Sequence, residues 1–252
     1  MTDTMPEAIP AATLVLFRDR AGAPPELLIV ERAKAMAFAG GALVFPGGRI
    51  DAGDRALALE LAADPLIDAA RIAAIREMIE EAGVAVGLAP HPTPDQLTAI
   101  RVALHAGETL GAVLDRHGLT LDLAALEPFA RWRPAHLHMR IFDTLFFLAA
   151  APADAAPRVD GTENSRAFWA SAAQVLAEAD AGRATIIFPT RRNLERLVQF
   201  ADFAEAVAHA RRHPVETITP WVEARDGADH LCIPEGLGYP VTSEAMSRVD
   251  RG

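Results

Sequence analysis

The stretch REMIEEAGV at residues 76–84 constrains this chain more than any other segment. Residues 68–82 carry apolar side chains at helical spacing, with Asp68 positioned to cap the start and Gly83 to end it. At about 100° per residue, Ile72, Ile75 and Ile79 fall on one narrow apolar face, and Glu77, Glu80 and Glu81 fall together on a neighbouring arc. Carboxylates at i, i+3 and i+4 repel one another. Such a face either lies in open water, as most glutamate-rich helix faces do, or is neutralised by a cation. Hard carboxylate oxygens select Mg²⁺, Mn²⁺ or Ca²⁺ over softer metals. Upstream, a short strand at residues 42–45 ends in Pro46-Gly47-Gly48. Two glycines after a strand let backbone approach a ligand or metal closely, and free carbonyls there would add oxygen donors.

Composition narrows the class. Of the 252 residues 51% are hydrophobic and 23% charged, which is a globular and not a disordered balance. Fifty-two of them are alanine, so the apolar share overstates how much surface can be buried, but enough Leu, Ile, Val and Phe remain for a core. The net charge of −10 excludes a basic footprint for gripping a nucleic acid polymer. Lys34 is the sole lysine, so cationic contacts fall to arginine, whose planar fork suits phosphate and carboxylate. The single Cys232 excludes an internal disulfide framework and a paired-cysteine metal site. The first residues lack the basic start and apolar core of a signal peptide, and no charge-free apolar run reaches the roughly 18 residues of a membrane span. These features predict a reduced, cytoplasmic protein with no membrane partner.

Along the chain, residues 1–10 read as a flexible leader and residues 11–252 as a single domain. Residues 12–18 and 27–31 form a β-hairpin around a Gly- and Pro-containing turn. A short helix is expected at 56–63, and a helical stretch at 94–117 broken near Gly107. Residues 126–132 lead into a buried strand at 141–149, and 166–169 form another. Helices are expected at 171–181, 190–200 and 201–212, with Thr190 as an N-cap, and then a loop-rich tail with one strand at 230–233. Helices mixed with early hairpins predict an α/β sandwich instead of a doubly wound parallel sheet.

The glycine pair and REMIEEAGV together resemble the box of the Nudix hydrolase family, which runs G, five residues, E, seven residues, R-E-U-x-E-E-x-G-U with U a bulky aliphatic. Gly48 opens it, Asp54 stands where the family has Glu, and residues 76–84 match every specified position. Residues 55–75 number 21 where the box has seven. An insertion there resembles the branch that includes acyl-coenzyme A diphosphatases, as do VFPGGRID, RIFDTLFFLA and FPTRRNLERL. The resemblance implies an α/β/α sandwich with a mixed central sheet and helical insertions near residues 55–67 and 94–120. It implies a metal-dependent pyrophosphohydrolase, with Glu77, Glu80 and Glu81 holding Mg²⁺ or Mn²⁺ and the Gly48 carbonyl completing the set. Arg76 would pair with a box carboxylate; Asp54, Asp51 or neither fills that role. Glu77 is the first candidate for general base and Glu163, in a following loop, the second. The substrate would be a small-molecule diphosphate: coenzyme A or an acyl derivative first, then ADP-ribose, NADH or a nucleotide sugar. The rival is a non-catalytic nucleotide sensor, but sensors often lose ligand glutamates and all three are present here. A homodimer is compatible with the resemblance.

Other signals are weaker. Gly41 through Gly48 partly match a coenzyme A-associated motif, but Ala37 stands where that motif has arginine, with Arg32 nearby as a substrate-phosphate candidate. Arg191, beside Arg192 at a helix start, is a second phosphate candidate, against the reading of a solvated pair. His136 and His138 have no third ligand nearby, so no zinc site is expected. Trp132 and Trp169 are expected to pack instead of stacking on a base.

Overall fold

The computed structural model describes residues 7–35, 39–61, 64–134, 141–159, 161, 163–225 and 227–249. Ala37, His136 and His138 lie outside the described residues. The chain order is β1 (Ile9–Arg20), β2 (Ala23–Arg32), β3 (Leu43–Val44), β4 (Gly47–Arg49), α1 (Ala52–Glu60), α2 (Ile67–Glu77) and a π-helical turn (Met78–Ala82). Then come β5 (Leu88–Ala89), α3 (Pro94–His105), α4 (Leu110–His117), β6 (Thr120–Leu121), β7 (Glu127–Trp132), β8 (Phe142–Ala150) and β9 (Asn164–Ala170). The remainder holds α5 (Ala172–Asp180), α6 (Phe188–Leu197), α7 (Phe203–Arg212), β10 (Thr217–Ile218), β11 (Trp221–Arg225), β12 (Ala228–Cys232), β13 (Ser243–Ala245) and α8 (Met246–Val249).

The main sheet runs β10-β7-β8-β1-β2-β3, with β4 also pairing to β1 and β9 to β2. It is mixed: β1 lies parallel to β8, whereas β1–β2, β2–β9 and β7–β8 are antiparallel. Period-2 alternation divides β1 and β8 between two cores. Ala12, Leu14 and Leu16 with Leu145 and Phe147 meet α2, α3 and α4 on one face. Val15 and Phe17 with Phe146 and Leu148 meet α5, α6 and α7 on the other. The result is the expected α/β/α sandwich. Alanines do most of their work in the first core, where Ala69, Ala70, Ala73 and Ala74 are buried on α2 and let that helix lie close to the sheet.

Several boundaries correct the sequence reading. Strand β1 begins at Ile9, inside the supposed leader, because Ile9 and Pro10 are in register with Phe142 and Asp143. Asp68 is not the cap of α2; it is buried in the first turn and paired with Arg71 at 2.8 Å, while the Asp64 carboxylate accepts from the N–H groups of Leu66 and Ile67. Thr190 is likewise buried inside α6, which starts earlier with Pro189 in its first turn. The tail holds a separate three-stranded sheet, β11-β12-β13, where one strand was expected. Helices α1 and α4 pack through small residues: Gly53 meets Thr109 and Gly111 meets Leu57. No helix among the described residues is long and apolar enough to cross a membrane.

Candidate active site

Both glycines before α1 are required by space, not by backbone conformation. Neither Gly47 nor Gly48 has a positive φ. They form β4, in register with Thr13 and Ala12 of β1, so the pair expected to end a strand is itself part of the sheet. A Cβ at Gly47 would stand 2.7 Å from the Thr13 Cα, and one at Gly48 would fall onto the Glu77 carboxylate. Gly48 therefore leaves the room in which Glu77 sits.

The three glutamates do not share one regular α-helical arc. Helix α2 ends at Glu77 and the next five residues form a π turn, closed by Gly83 in the left-handed region at φ 63°. Wider turns of this kind are rare and concentrate at functional sites. Arg101 of α3 braces it, donating from Nε and Nη2 to the Glu80 carbonyl at 3.0 and 2.7 Å. The carboxylates then find different partners. Arg76 Nη1 donates to Glu77 Oε1 and to Glu80 Oε2, both at 2.8 Å. Glu81 Oε2 instead accepts the Gly47 backbone N–H at 3.0 Å, tying the π turn to β4.

The open question about the arginine's partner has a geometric answer. Arg76 forks onto Asp54, with Nε to Oδ1 at 3.1 Å and Nη2 to Oδ2 at 2.9 Å, and Nη2 also donates to the Arg49 carbonyl at 2.8 Å. Asp54 is only 2% exposed, whereas Asp51 is at 3.7 Å and largely exposed. Asp54 reaches inward because it lies in the first turn of α1, where its carboxylate also accepts the Asp51 N–H in a capping box. The shorter side chain thus suffices once a helix carries it to the arginine.

Burial and like charge set the electrostatics. Burial acts against the Arg76 charge, but hydrogen bonds to Asp54 and the charges of Glu77 and Asp54 outweigh it and raise its pKa. Burial pushes Glu77 up to about 8; Arg76 opposes this, and Glu81 and Glu80 add to it. Burial pushes Glu81 up to about 7, against the Gly47 N–H, the Asn164 amide and the Arg32 charge, with Glu163 adding to the rise.

These groups open onto one cleft of about 910 Å³, a size suited to a small-molecule ligand. Arg32, Gly47, Gly48, Arg76, Glu77, Glu80, Glu81 and Glu163 all line it. Its other half is apolar, built from Val44, Phe45, Trp132, Ile141, Phe146 and Ile187. Arg191 is not among the lining residues; its guanidinium pairs with Asp180 at 2.7 Å. Trp132 is 1% exposed, so it packs as the cleft floor, with its N–H donated to Tyr239 Oη. Trp169 lies beneath the Arg18 guanidinium, 4.4 Å from the ring centroid. Arg49 and Asn164 line the cleft unforeseen. Adjacency to Glu163 was the one available sign for Asn164.

Among the described residues no three acidic, His or Cys side chains converge as a metal-holding group. Arg76 holds one oxygen each of Glu77 and Glu80, and the Gly47 N–H holds one of Glu81. The donor set nonetheless fits a hard cation: it is all oxygen, and the missing side chain at Gly48 leaves space at Glu77.

No family model matches the sequence, and no curated protein does. Among solved structures, a NUDIX hydrolase from Alicyclobacillus acidocaldarius is similar at 31% identity and TM-score 0.72, covering 81% of this chain and 97% of that one. A MutT protein from Methanosarcina mazei Go1 shows 15% identity and TM-score 0.44 over 76% of this chain and 94% of its own. A MutT NUDIX hydrolase from Burkholderia pseudomallei shows 15% identity and TM-score 0.42 over 75% and 98%. The first of these matches, over nearly its whole length, makes this chain a member of the Nudix hydrolase family of enzymes.

Proposed function

We propose that the chain is a metal-dependent pyrophosphohydrolase that cleaves the diphosphate of a nucleoside diphosphate linked to a second moiety. The observation that carries this reading is the Asp54–Arg76 fork, which holds Glu77 and Glu80 at the cleft beside Glu81. In this reading Glu77, Glu80, Glu81 and the Gly48 carbonyl hold Mg²⁺ or Mn²⁺. When bound, the ion supplies charge neutralisation at phosphate oxygens and makes water more acidic. Arg76 keeps the carboxylates apart from one another's charge and fixes their direction. Arg32 reaches into the cleft beside Glu81 and is the phosphate contact.

Water attacks one phosphorus of the anhydride, and the bond to the bridging oxygen breaks. Glu77, on the cleft wall and held by Arg76, is the first candidate to accept the proton from that water. Glu163, exposed at the cleft rim, is the second candidate for that role. The apolar half of the cleft supports a substrate with a bulky non-polar portion. This favours coenzyme A or an acyl derivative over ADP-ribose, NADH or a nucleotide sugar.

Purified protein with Mg²⁺ or Mn²⁺, a panel of these diphosphates and Glu80→Gln as control would test the reading. Turnover by the wild type and its loss in the variant is the expected result. Equal turnover by the variant, or none by either, overturns it. Cleavage of ADP-ribose with coenzyme A untouched overturns the substrate assignment alone.

A further inference from the structure

Strands β2 and β9 place two under-satisfied polar side chains side by side. Their antiparallel register runs regularly from Leu27–Ala170 to Glu31–Arg166 and then slips by one, so that Arg32 faces Asn164. Ser165 is the extra residue, its hydroxyl donating to the Glu31 carbonyl at 3.2 Å. A bulge of this kind re-aims the side chains beyond it. Residues directly opposite across antiparallel strands share a face, so Arg32 and Asn164 point to the same side. Both line the cleft next to Glu81.

Asn164 is 1% exposed, and neither of its amide atoms makes a hydrogen bond of regular geometry, although the amide lies near enough to Glu81 to lower its pKa; Arg32 Nε is also buried without a partner. A buried carboxamide with both ends unpaired costs stability, and native proteins hold such groups mainly where function uses them. The orphaned atoms are chemically complementary. Arg32 Nε–H is a donor and the carboxamide oxygen of its register partner an acceptor, while the amide N–H is a donor near the Glu81 carboxylate. Glu81 has one oxygen on the Gly47 N–H, and its other oxygen is the acceptor available to Asn164.

We propose that Asn164 is a positioning residue for Glu81. With the cation bound, its carboxamide bridges Arg32 and Glu81, accepting from Arg32 Nε and donating to the Glu81 oxygen that Gly47 leaves free. Glu81 is then gripped from β4 on one side and from β9 on the other, with its carboxylate turned to the cleft in one orientation. This rests on the reading above in which Glu81 holds the divalent cation. Groups that orient a metal ligand from behind commonly change affinity by about 10–100-fold when removed.

The test measures Mn²⁺ binding to the full chain without substrate, together with the metal-free Tm, for wild type, Asn164→Leu and Asn164→Ala. Leucine keeps the volume and removes both unpaired polar atoms. The expected result is Mn²⁺ affinity lowered by about 10-fold or more in both variants, with the Asn164→Leu Tm equal to or above that of the wild type. Unchanged Mn²⁺ affinity overturns the assignment. So does an affinity loss accompanied by a lower Tm in both variants, which marks a residue that only supports the fold. A wild-type chain that binds no Mn²⁺ overturns the metal reading itself, and the positioning role with it.

Discussion

Two helical segments of this chain carry opposite charge balances, one arginine to three glutamates in REMIEE at residues 76–81 and three arginines to one glutamate in RRNLER at 191–196, and the fold uses them in opposite ways. Both bury arginine: Arg76 is 8% exposed, and Arg192 and Arg196 are 1% and 2%. In the first segment carboxylates outnumber guanidinium. One arginine faces Asp54, Glu77 and Glu80, and the surplus negative charge lies on the cleft wall. In the second the cations are in surplus and are roofed over. Arg192 pairs with Glu195 and with Glu244 of β13, both at 2.9 Å. Arg196 lies 4.0 Å from the Phe129 ring centroid and 5.1 Å from that of Tyr239. Burial lowers the pKa of both arginines. Helical charge alone therefore does not mark a site. The sign left unpaired, and whether that face opens to a cleft, decide between a ligand-binding group and an interior brace.

The contrast can be broken first by removing each arginine. Arg76→Met strands Asp54, which is 2% exposed, and should cost about 3–5 kcal/mol in urea denaturation. Arg192→Met strands Glu195 and Glu244, whose side chains keep 16% and 14% exposure, and should cost about 1–3 kcal/mol. Equal costs would mean that the two assemblies are built alike. Next in size, Gly48→Ala drives a methyl against Glu77 and should lower kcat by about 10²-fold while the Tm moves little. Unaltered kcat would show that Glu77 has no fixed place in the chemistry.

A pH series sharpens the same comparison. Glu77 at about 8 and Glu81 at about 7 lie above the ordinary 4.5, so the folded state retains protons that the unfolded state has released. Their destabilisation is absent below about pH 4.5 and grows as pH rises toward 8. Glu195, at about 7, acts in the same direction in the second segment. The metal-free Tm should fall by roughly 3 °C or more between pH 5.5 and 8.5. Mn²⁺ should restore the part due to Glu77 and Glu81, and none of the part due to Glu195. A Tm that rises over that range contradicts the burial of these carboxylates. The smallest effect belongs to Tyr239→Phe, which loses the hydroxyl shared with Trp132 and Asn193. It should cost about 1 kcal/mol and leave kcat unchanged.

Much of the site was legible because its residues lie close in sequence and their chemistry is local. Glu77, Glu80 and Glu81 share two turns, and the clash of like charges is apparent from spacing alone. What was hidden depends on distance along the chain. The Asp54–Arg76 fork spans 22 residues, and whether a shortened acid could reach was settled only by α1, which turns it inward. Asn164 depends on a one-residue slip between strands, which no local pattern records. Gly47 and Gly48 read as the end of a strand; here they are strand themselves, needed for closeness to β1 and Glu77. The π turn escaped notice because Met78–Ala82 is too short for its wider pitch to leave a distinct apolar period in the sequence. Arg191 and Thr190 were misplaced for one reason: α6 begins three residues earlier than its cap signal suggested, with Ile187 and not Thr190 at the N-cap position.

The most direct test of the account sets one glutamate from each segment against the other. Turnover of a diphosphate substrate at saturating Mg²⁺ is measured for wild type, Glu81→Gln and Glu195→Gln. The account predicts that Glu81→Gln loses about 10²-fold or more in kcat/KM, while Glu195→Gln stays within about twofold. Equal retention of turnover by both variants would contradict it, as would a greater loss at Glu195 than at Glu81.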